Sequence, residues 1–345
     1  MDFVADYSRQ LSLSSMSEAK QAQIVESQVL VFGAGGLGVA AISYLVGAGV
    51  GAITIVDFDR IEASNLHRQT IYRVADIGAY KAEVCASYIS ERNPHCHISA
   101  LTNTLDLQRL YQLSEQHDVI LDCTDDQAFS YLLNSICLVA AKKAVFANAV
   151  KMEGQLFTLN PDIDQPCFNC LWPNNSSLVE TCNQVGVLGP VPGILGSLQA
   201  LEAIKILTDQ QSHLSGHLLH CDFVTYEFLK LEVPKAEVCD HRLVYDDLES
   251  AYNNYRSSIV PRIQNLILEG NILIDIRSLD EVNQQSIGFS SVHIEAQKLV
   301  ANPQNFLNKK QQYFLVCSSG KRSKSLCDDL QEMGYQTVAC RLGMD

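Results

Sequence analysis

The chain has 345 residues, 47% of them hydrophobic and 19% charged, which is typical of a globular protein with room for two domains of ordinary size. Its formal net charge of −14 argues against nonspecific binding to nucleic acid and to an anionic membrane surface. The opening segment, MDFVADYSRQLSLSSM, has no basic region followed by an apolar run, and the most apolar stretch, 39–50, is too short to span a bilayer. Twelve cysteines without a secretory signal predict a cytoplasmic protein whose thiols are reduced, metal-bound or catalytic.

Short apolar strands alternate with helical patterns in the first half of the chain. The predicted strands are 29–32, 53–56, 97–101, 119–121 and 144–147. This alternation predicts a doubly wound, mostly parallel α/β sheet of the Rossmann-like class. After Pro161 the pattern becomes irregular and predicts long surface loops, followed by an apolar helix at about 192–207.

Gly33, Gly35 and Gly38 form a G-x-G-x-x-G pattern between the first predicted strand and a helical run. Such a loop places helix N-terminal amides where they can hold a phosphate group. Asp57, at the end of the second strand, is positioned for a ribose hydroxyl. The glycines alone fit NAD, FAD or ATP, so an NAD- or FAD-dependent oxidoreductase remains an alternative.

Charged and polar residues follow the loop closely. They are Asp57, Asp59, Asn65, Arg68, Gln69 and Lys81. Two cations beside a helix N-terminus suit a triphosphate whose pyrophosphate leaves, whereas a dinucleotide needs fewer cations. The segment LDCTDD then supplies Asp122, Asp125 and Asp126 as candidate carboxylates for Mg²⁺.

A second α/β unit is predicted after a helical linker that begins near residue 243. We expect a first domain at 1–242, a linker at 243–257 and a smaller domain at 258–345, with strands at 272–276, 313–317 and 337–339 and a helix at 323–333. Cys317 ends one of these strands, shortly before Gly320, Lys321 and Arg322. A thiolate at a helix N-terminus beside cations is expected to have a lowered pKa, and the same cradle stabilises a persulfide anion.

Seven motifs occur in order between residues 5 and 240: YSRQ, GAGGLG, DFDRIEASNLHRQ, the lysine at 81, DCTD, CFNC and TCNQVGVLGPVPGILGSLQALEAIK. Together they resemble the MoeB/ThiF/HesA family, the bacterial relatives of ubiquitin-activating E1 enzymes. The resemblance implies ATP-dependent adenylylation of the C-terminal glycine of a ubiquitin-like sulfur carrier, MoaD-like or ThiS-like. The acyl-adenylate then becomes a thiocarboxylate for molybdopterin or thiamin biosynthesis.

The same resemblance implies roles for individual residues. Gly33, Gly35, Gly36 and Gly38 match the nucleotide loop, Asp57 the ribose ligand, Arg68 and Lys81 the phosphate-binding cations, and Asp125 the Mg²⁺-associated aspartate. Arg9 matches an arginine that reaches the partner's ATP site, which implies a homodimer. A side chain at position 36 is expected to point into the space where the carrier's Gly-Gly tail approaches the α-phosphate.

Residues 258–345 resemble a rhodanese domain, with Cys317 as the persulfide-forming residue and a cysteine desulfurase or thiosulfate as sulfur donor. The usual Gly-His-Ile-Pro-Gly-Ala segment is reduced to IGFSSVHIEA, and the chain ends soon after CRLG, so a trimmed fold or a docking-only domain is the alternative to an active one. Cys182, in the loop expected to cross the active-site face, is a candidate to bind the carrier or pass on sulfur.

Three positions depart from the family pattern. Asp126 and Ser130 replace the usual asparagine and arginine, which leaves a noncatalytic scaffold as a further alternative. Ala236 replaces the third cysteine of the structural zinc site, leaving Cys167, Cys170 and Cys239 as metal ligands. His241, water or another group could complete that site, and loss of the metal is equally open.

Overall fold

A computed structural model describes residues 6–162, 165–173, 186–210, 214–236, 239, 241, 243–259, 272–284, 291–317 and 321–341. The chain divides into two compact units, Met1–Ala251 and Tyr252–Asp345. Within the described ranges, no helix is both long and apolar enough to cross a membrane. No disulfide joins the eleven cysteines that are described.

The first unit is built on one eight-stranded sheet. Its strands are β1 Gln28–Phe32, β2 Ala52–Val56, β3 His97–Leu101, β4 Val119–Asp122, β5 Lys143–Val150, β6 Glu153–Leu159, β7 His217–Asp222 and β8 Glu227–Glu232. Its helices are α1 Ser8–Leu11, α2 Glu18–Glu26, α3 Gly36–Ala48, α4 Lys81–Ser90, α5 Leu107–Gln116, α6 Gln127–Val139, α7 Phe168–Leu171 and α8 Pro190–Leu207. Helix α9, Tyr245–Ile259, contains the boundary between the units.

The strand order is β3-β2-β1-β4-β5-β6-β7-β8, with parallel pairing from β3 to β5 and antiparallel pairing from β5 to β8. Strand β1 pairs with β2 on one side and β4 on the other. The strands that follow β1 are therefore added first on one side of it and then on the other. The carboxyl ends of strands at such a switch point form the crevice in which open α/β sheets bind ligands. All five predicted strands are present, each within a few residues of the expected bounds.

The antiparallel half of the sheet was not predicted from the sequence. Strand β6 contains Gly154, which normally weakens a strand. A Cβ at this position would lie 2.2 Å from Leu195 Cδ1 of α8, so the glycine lets the helix pack directly onto the strand. Strand β8 is exposed along its whole length and therefore shows no one-sided hydrophobic pattern.

The second unit is a smaller four-stranded parallel sheet in the order β10-β9-β11-β12. Its elements are β9 Ile272–Asp275, α10 Leu279–Gln284, β10 Val292–His293, α11 Ala296–Ala301, β11 Gln312–Cys317, α12 Lys321–Glu332 and β12 Gln336–Arg341. Leu326 and Leu330 of α12 pack in one core with Leu315 and Cys317 of β11. Cys317 ends β11 and α12 begins at Lys321, which agrees with the strand and helix predicted from the sequence.

Candidate active site and metal centre

The glycine loop joins β1 to α3 with almost no space between backbones. Gly33 has φ +94°, a conformation that side chains disfavour, and a Cβ there would lie 2.7 Å from the Cys123 carbonyl oxygen. A Cβ on Gly38 would lie 1.9 Å from the Gly33 carbonyl oxygen. Helix α3 begins here with Gly35 as N-cap and without a side-chain cap, so its first amides face the crevice as a phosphate loop requires.

Gly35 and Gly36 differ in what surrounds them. A Cβ on Gly35 would only touch Gln69 Nε2 at 3.7 Å, an ordinary contact. A Cβ on Gly36 would meet the Pro192 ring at 2.9 Å and 3.0 Å and the Arg68 carbonyl oxygen at 3.4 Å. A side chain at position 36 would therefore meet Pro192, and the approach of the carrier's Gly-Gly tail to this position stays a prediction. The start of α8 packs against this glycine, a contact between distant segments that no local sequence pattern reveals.

Asp57 ties the loop to the end of β2. Its buried carboxylate accepts hydrogen bonds from Ala34 N at 2.7 Å and Asp59 N at 2.8 Å. The Tyr72 hydroxyl donates to the Ala34 carbonyl oxygen at 2.8 Å and lies 3.2 Å from that of Lys81. Burial raises the pKa of Tyr72, which keeps its hydroxyl a donor. Tyr72 belongs to no motif, and its part in shaping the loop was missed from the sequence.

The two predicted phosphate-binding cations, Lys81 and Arg68, differ in their surroundings. Lys81 is 8% exposed, and its Nζ forms an ion pair with Asp59 Oδ2 at 3.1 Å while its backbone N donates to the Asp59 carbonyl oxygen. The half-buried Arg68 donates from Nη1 to the Ser64 carbonyl oxygen at 2.9 Å and contacts His67 Nε2. Lys81 is thus a fixed charge, whereas Arg68 lies on a surface turn beside the loop.

Gln69 and Asn65 lie on the same segment. Asn65 is buried and its Oδ1 accepts a hydrogen bond from Glu62 N at 3.0 Å, which stabilises the turn. Gln69 is 3% exposed, and its Oε1 has no hydrogen-bond partner among the described residues. An unpartnered buried oxygen is costly, so its place beside Gly35 fits a site that a polar ligand completes.

The three candidate carboxylates after β4 have separate environments. Asp122 is buried and accepts hydrogen bonds from Thr124 N and Oγ1, at 3.0 Å and 2.7 Å, and from Ser130 Oγ at 2.5 Å. Burial raises the pKa of Asp122 to about 6, although these hydrogen bonds oppose the increase. Asp126 caps α6 by accepting from Phe129 N at 3.2 Å. Asp125 is half-buried and lies next to Asp126 in the same turn.

Arg9 lies far from the glycine loop of its own chain. Gln10 Nε2 donates to Gln21 Oε1 and to the Ala48 carbonyl oxygen, and Gln21 Nε2 donates to the same carbonyl. These bonds anchor α1 at the C-terminal end of α3, where Arg9 is exposed. The 13 residues of α3 place that end about 20 Å from the loop. Within one chain, Arg9 therefore does not join Arg68 and Lys81.

Four metal-ligating side chains meet at the end of the first unit. Cys167 Sγ lies 4.0 Å from Cys170 Sγ and 3.5 Å from Cys239 Sγ, and Cys170 Sγ lies 3.2 Å from His241 Nε2. All four ligand atoms lie within 4.8 Å of one another. Zinc bound tetrahedrally to sulfur at about 2.3 Å and to nitrogen at about 2.0 Å requires such spacings, so the donor set fits zinc.

The position of the replaced cysteine is explained by the same cluster. The Ala236 carbonyl oxygen accepts a hydrogen bond from Cys239 N at 3.1 Å, so the backbone at the replaced position lies beside the cluster. His241 reaches the cluster from two residues beyond Cys239. Of the options that the sequence left open, His241 is the side chain present as the fourth donor.

In the second unit, Cys317 is buried at the end of β11 and its Sγ accepts a hydrogen bond from Ser323 N at 3.3 Å. Arg322, expected to be a cation near the thiol, donates from Nη1 and Nη2 to Glu281 at 2.9 Å and 2.5 Å. Burial raises the pKa of Glu281, but the hydrogen bonds and charge of Arg322 outweigh it and lower that pKa to about 2. Gly320 in this loop and Cys182 in the first unit lie outside the described residues.

Two family models match the chain. Residues 7–241 match the ThiF family model, and residues 261–343 match the model of the rhodanese-like domain. The chain belongs to the ThiF family. Both recognitions made from the motifs are thereby confirmed.

Curated relatives agree with this membership. The chain is 40% identical over 234 residues to the adenylyltransferase and sulfurtransferase MOCS3 of Drosophila grimshawi, covering 67% of this chain and 52% of that protein. In Escherichia coli (strain K12) it is 38% identical to the sulfur carrier protein ThiS adenylyltransferase and 38% identical to the molybdopterin-synthase adenylyltransferase. These alignments cover 68% of this chain and 92% and 95% of the bacterial proteins. The chain thus spans about half the length of the insect relative and nearly all of the bacterial ones.

Solved structures support the fold alone. The crystal structure of E. coli MccB has a TM-score of 0.60 and 20% identity, covering 70% of this chain and 75% of that one. The predicted E1/ThiF-type sheet followed by a small rhodanese-like α/β domain is therefore confirmed as the fold class. The dehydrogenase reading allowed by the glycines alone is not the family that the chain matches.

Proposed function

We propose that the chain adenylylates the C-terminal glycine of a ubiquitin-like sulfur carrier with ATP, and that its rhodanese-like unit supplies sulfur for the thiocarboxylate. The names of the relatives support the proposal, since two are adenylyltransferases of sulfur carrier protein ThiS and of molybdopterin synthase. The observation that carries it is the crevice at the β1 switch point. There an uncapped helix N-terminus, the Lys81–Asp59 pair and a Gln69 oxygen without a partner among the described residues lie around one loop.

We propose one orientation for ATP in this crevice. The α3 N-terminus and Gly33–Gly38 loop receive phosphate, Asp57 receives the ribose, and Arg68 and Lys81 neutralise the leaving pyrophosphate. Mg²⁺, held by Asp125, would supply further neutralisation of phosphate charge when bound. Asp59 keeps the Lys81 ammonium in place before the nucleotide arrives, which reduces the reorganisation that the reaction requires.

The chemistry needs positioning and charge neutralisation. A carboxylate oxygen of the carrier's C-terminal glycine attacks the α-phosphorus, the bond to the β-phosphate oxygen breaks, and pyrophosphate leaves with the electron pair. No general base is needed, because the carboxylate is already ionised at neutral pH. The protein's task is to align the two reactants and stabilise the pyrophosphate.

Homodimerisation is part of the proposal. Arg9 is about 20 Å from the loop of its own chain, so a role in ATP binding requires a second subunit. Exposed apolar side chains on α3 and α8 support a protein–protein contact on that side of the sheet, since Tyr44, Ile194 and Leu201 are 61%, 42% and 50% exposed. A twofold contact of this kind would supply each site with the partner's Arg9.

The metal is proposed to be zinc, held by Cys167, Cys170, Cys239 and His241. With four protein ligands it would be structural, since no position remains for a substrate. It would stabilise α7 and the end of the first unit.

We also propose a first domain at 1–242, a linker at 243–257 and a rhodanese-like domain at 258–345. We propose a cytoplasmic location as well, with which the free thiols of the described cysteines agree.

Sulfur transfer is proposed to begin at Cys317. Its thiolate attacks the sulfane sulfur of thiosulfate or of a cysteine desulfurase persulfide, and sulfite or the desulfurase thiolate leaves. The terminal sulfur of the resulting persulfide attacks the acyl-adenylate carbonyl, AMP leaves, and the carrier is joined to Cys317 through an acyl disulfide. A second thiolate, for which we propose Cys182, attacks the Cys317 sulfur; the thiocarboxylate leaves and a disulfide remains for an external thiol to reduce.

ATP–pyrophosphate exchange with a MoaD-like and a ThiS-like carrier tests the adenylylation. Exchange with the MoaD-like carrier would indicate the molybdopterin pathway, and exchange with the ThiS-like carrier the thiamin pathway. Lys81→Met should abolish the exchange, whereas Lys143→Met, which removes the surface lysine paired with Asp162, should not. A well-folded protein that exchanges with neither carrier would contradict the proposal.

Sulfur transfer has its own assay, the thiosulfate:cyanide reaction. Cys317→Ala should abolish it, and Cys340→Ala, a buried cysteine on the adjacent strand β12, should retain it. Full activity of Cys317→Ala would remove the sulfur-transfer claim and leave adenylylation untouched.

A further inference from the structure

Helix α6 is in contact with two functional regions within little more than one turn. The first is the Asp125 turn, residues 122–126, which begins at the last residue of β4. The second is the metal knuckle, residues 167–172, which contains two of the four metal-ligating side chains. The inference below rests on the proposed ATP and zinc sites and adds a physical connection between them.

The first turn of α6 is fixed to the Asp125 turn. Asp126 caps the helix, and Ser130 Oγ donates to the buried Asp122 carboxylate at 2.5 Å. Asp122 in turn accepts two hydrogen bonds from Thr124. The backbone on both sides of Asp125 is therefore tied to the start of this helix.

The next turn of α6 is fixed to the metal knuckle. The Tyr131 hydroxyl donates to the Trp172 carbonyl oxygen at 2.8 Å, and Asn134 Oδ1 accepts from Phe168 N at 3.0 Å. The rings of Tyr131 and Phe168 meet edge to face at 5.2 Å. Phe168 directly follows Cys167, so these contacts hold the backbone from which the first metal ligand extends.

This interface contains polar groups that packing alone does not require. Asn134 is fully buried, and its Nδ2 has no hydrogen-bond partner among the described residues. In the knuckle, the buried Oδ1 of Asn169 also lacks one within the described ranges. Buried polar atoms without partners are expensive, and at a metal site such groups characteristically hydrogen-bond the ligands and orient them.

We propose that Tyr131 and Asn134 are positioning residues that couple the metal knuckle to the Asp125 turn, so that metal binding and nucleotide binding strengthen each other. Ser130 and Tyr131 are adjacent in sequence on a helix held by its own hydrogen bonds. A shift of the knuckle therefore reaches the Asp125 turn without an intervening flexible segment. By thermodynamic reciprocity, the factor by which the metal tightens ATP binding equals the factor by which ATP tightens metal binding.

The coupling factor is measurable from both sides in the full chain without turnover. Zinc affinity is determined by competition with a chromophoric chelator, with and without ATP in excess Mg²⁺, against a blank containing the same nucleotide. MgATP affinity is determined by calorimetry on zinc-loaded and zinc-depleted protein. We expect the same factor, roughly two- to tenfold, in both experiments.

The decisive variant is Tyr131→Phe, which removes the hydroxyl that donates to Trp172 and keeps the ring contact with Phe168. It should bring the coupling factor close to one, weaken zinc binding by up to about tenfold and raise the KM for MgATP of zinc-loaded protein with kcat little changed. Tyr111→Phe, on the neighbouring helix α5, is the matched control and should leave all three quantities unchanged.

Several results would overturn the inference. A coupling factor of one in the unmodified chain would do so, as would an unchanged factor in Tyr131→Phe. If zinc-depleted protein unfolds, the KM of zinc-loaded Tyr131→Phe decides alone, and an unchanged KM refutes the coupling. A chain that binds no MgATP in calorimetry would instead contradict the proposed function, which keeps the two failures distinct.

Discussion

The location of Arg9 allows a test of subunit cooperation that needs no structure of the dimer. Two variants are prepared, Arg9→Ala and Lys81→Met, and each is expected to be inactive in ATP–pyrophosphate exchange as a pure protein. In a mixed dimer, the site on the Arg9→Ala subunit keeps its own Lys81 and receives Arg9 from its partner. The other site lacks both cations.

The expected magnitude follows from geometry and statistics. Arg9 lies about 20 Å from its own glycine loop, farther than an arginine side chain extends, so in the proposed dimer each site depends on the other chain for this residue. Random exchange of equal amounts yields about one half mixed dimers, each with one of two sites intact. The mixture should therefore recover about a quarter of the unmodified activity.

The assay is pyrophosphate exchange before and after the two variants are mixed and allowed to exchange subunits, with exchange confirmed by native mass spectrometry. Thermal unfolding of each variant controls for folding. Mixed dimers without recovered activity would refute action across the interface. Full activity of pure Arg9→Ala would remove Arg9 from the site altogether.

Three further predictions follow from single contacts. Gly38→Ala should reduce exchange by about a hundredfold or more, because its Cβ would lie 1.9 Å from the Gly33 carbonyl oxygen, whereas Gly47→Ala in the same helix has nothing within 4 Å and should be neutral or stabilising by up to about 1 kcal/mol. Metal analysis with chelator competition should show lost zinc affinity in His241→Ala and restored affinity in His241→Cys, and equal affinity in all three proteins would exclude His241 as a ligand. Burial lowers the pKa of His117, so the unfolded state binds the extra proton first and stability should fall as the pH drops through about 6.5. Urea unfolding at pH 7.5 and 5.5 should show a smaller drop in His117→Gln, and an equal drop in both proteins would contradict this assignment.

The central strands of the parallel half, β1, β4 and β5, were predictable because nearly all of their residues are buried. Each reads as a short apolar run between turns, and the run over β1 locates the glycine loop without further information. The antiparallel half gave no comparable signal. Gly154 suggests a turn when it is read locally, and only the approach of Leu195 from α8 explains a glycine inside β6.

The candidate site also contains residues that local patterns predict and residues that they do not. Motif spacing located the glycines, Asp57 and Lys81, since these residues lie at strand ends and helix starts. Tyr72 and Gln199 were not predicted, because their roles depend on contacts between remote segments. Gln199 of α8 donates from Nε2 to the Asp122 carbonyl oxygen at 2.8 Å and accepts from Cys123 Sγ. These two hydrogen bonds hold the end of β4 against α8. A polar residue in an apolar helix was the available signal.

The departures from the family pattern acquire a physical interpretation from their contacts. Taken as sequence, Asp126 adds a negative charge near Mg²⁺ and Ser130 removes a cation, and both changes suggest a lost site. In the structure Asp126 caps α6, where a helix N-terminus stabilises a carboxylate, and Ser130 Oγ donates to the buried Asp122 carboxylate. Both residues thus stabilise the turn that contains Asp125.

The substitution at Ala236 in the metal cluster is likewise matched by another residue. With Ala236 in place of a cysteine, three thiols remain, and burial raises the pKa of the Cys167 and Cys239 thiols. Three such thiols without a fourth donor form a weak metal site. His241 provides that donor 3.2 Å from Cys170 Sγ. In a chain drifting toward a noncatalytic scaffold, substitutions at unneeded sites would leave their former partners unsatisfied. Here each substituted position is matched by a contact within the same turn or cluster, which favours a working adenylylation unit over a scaffold.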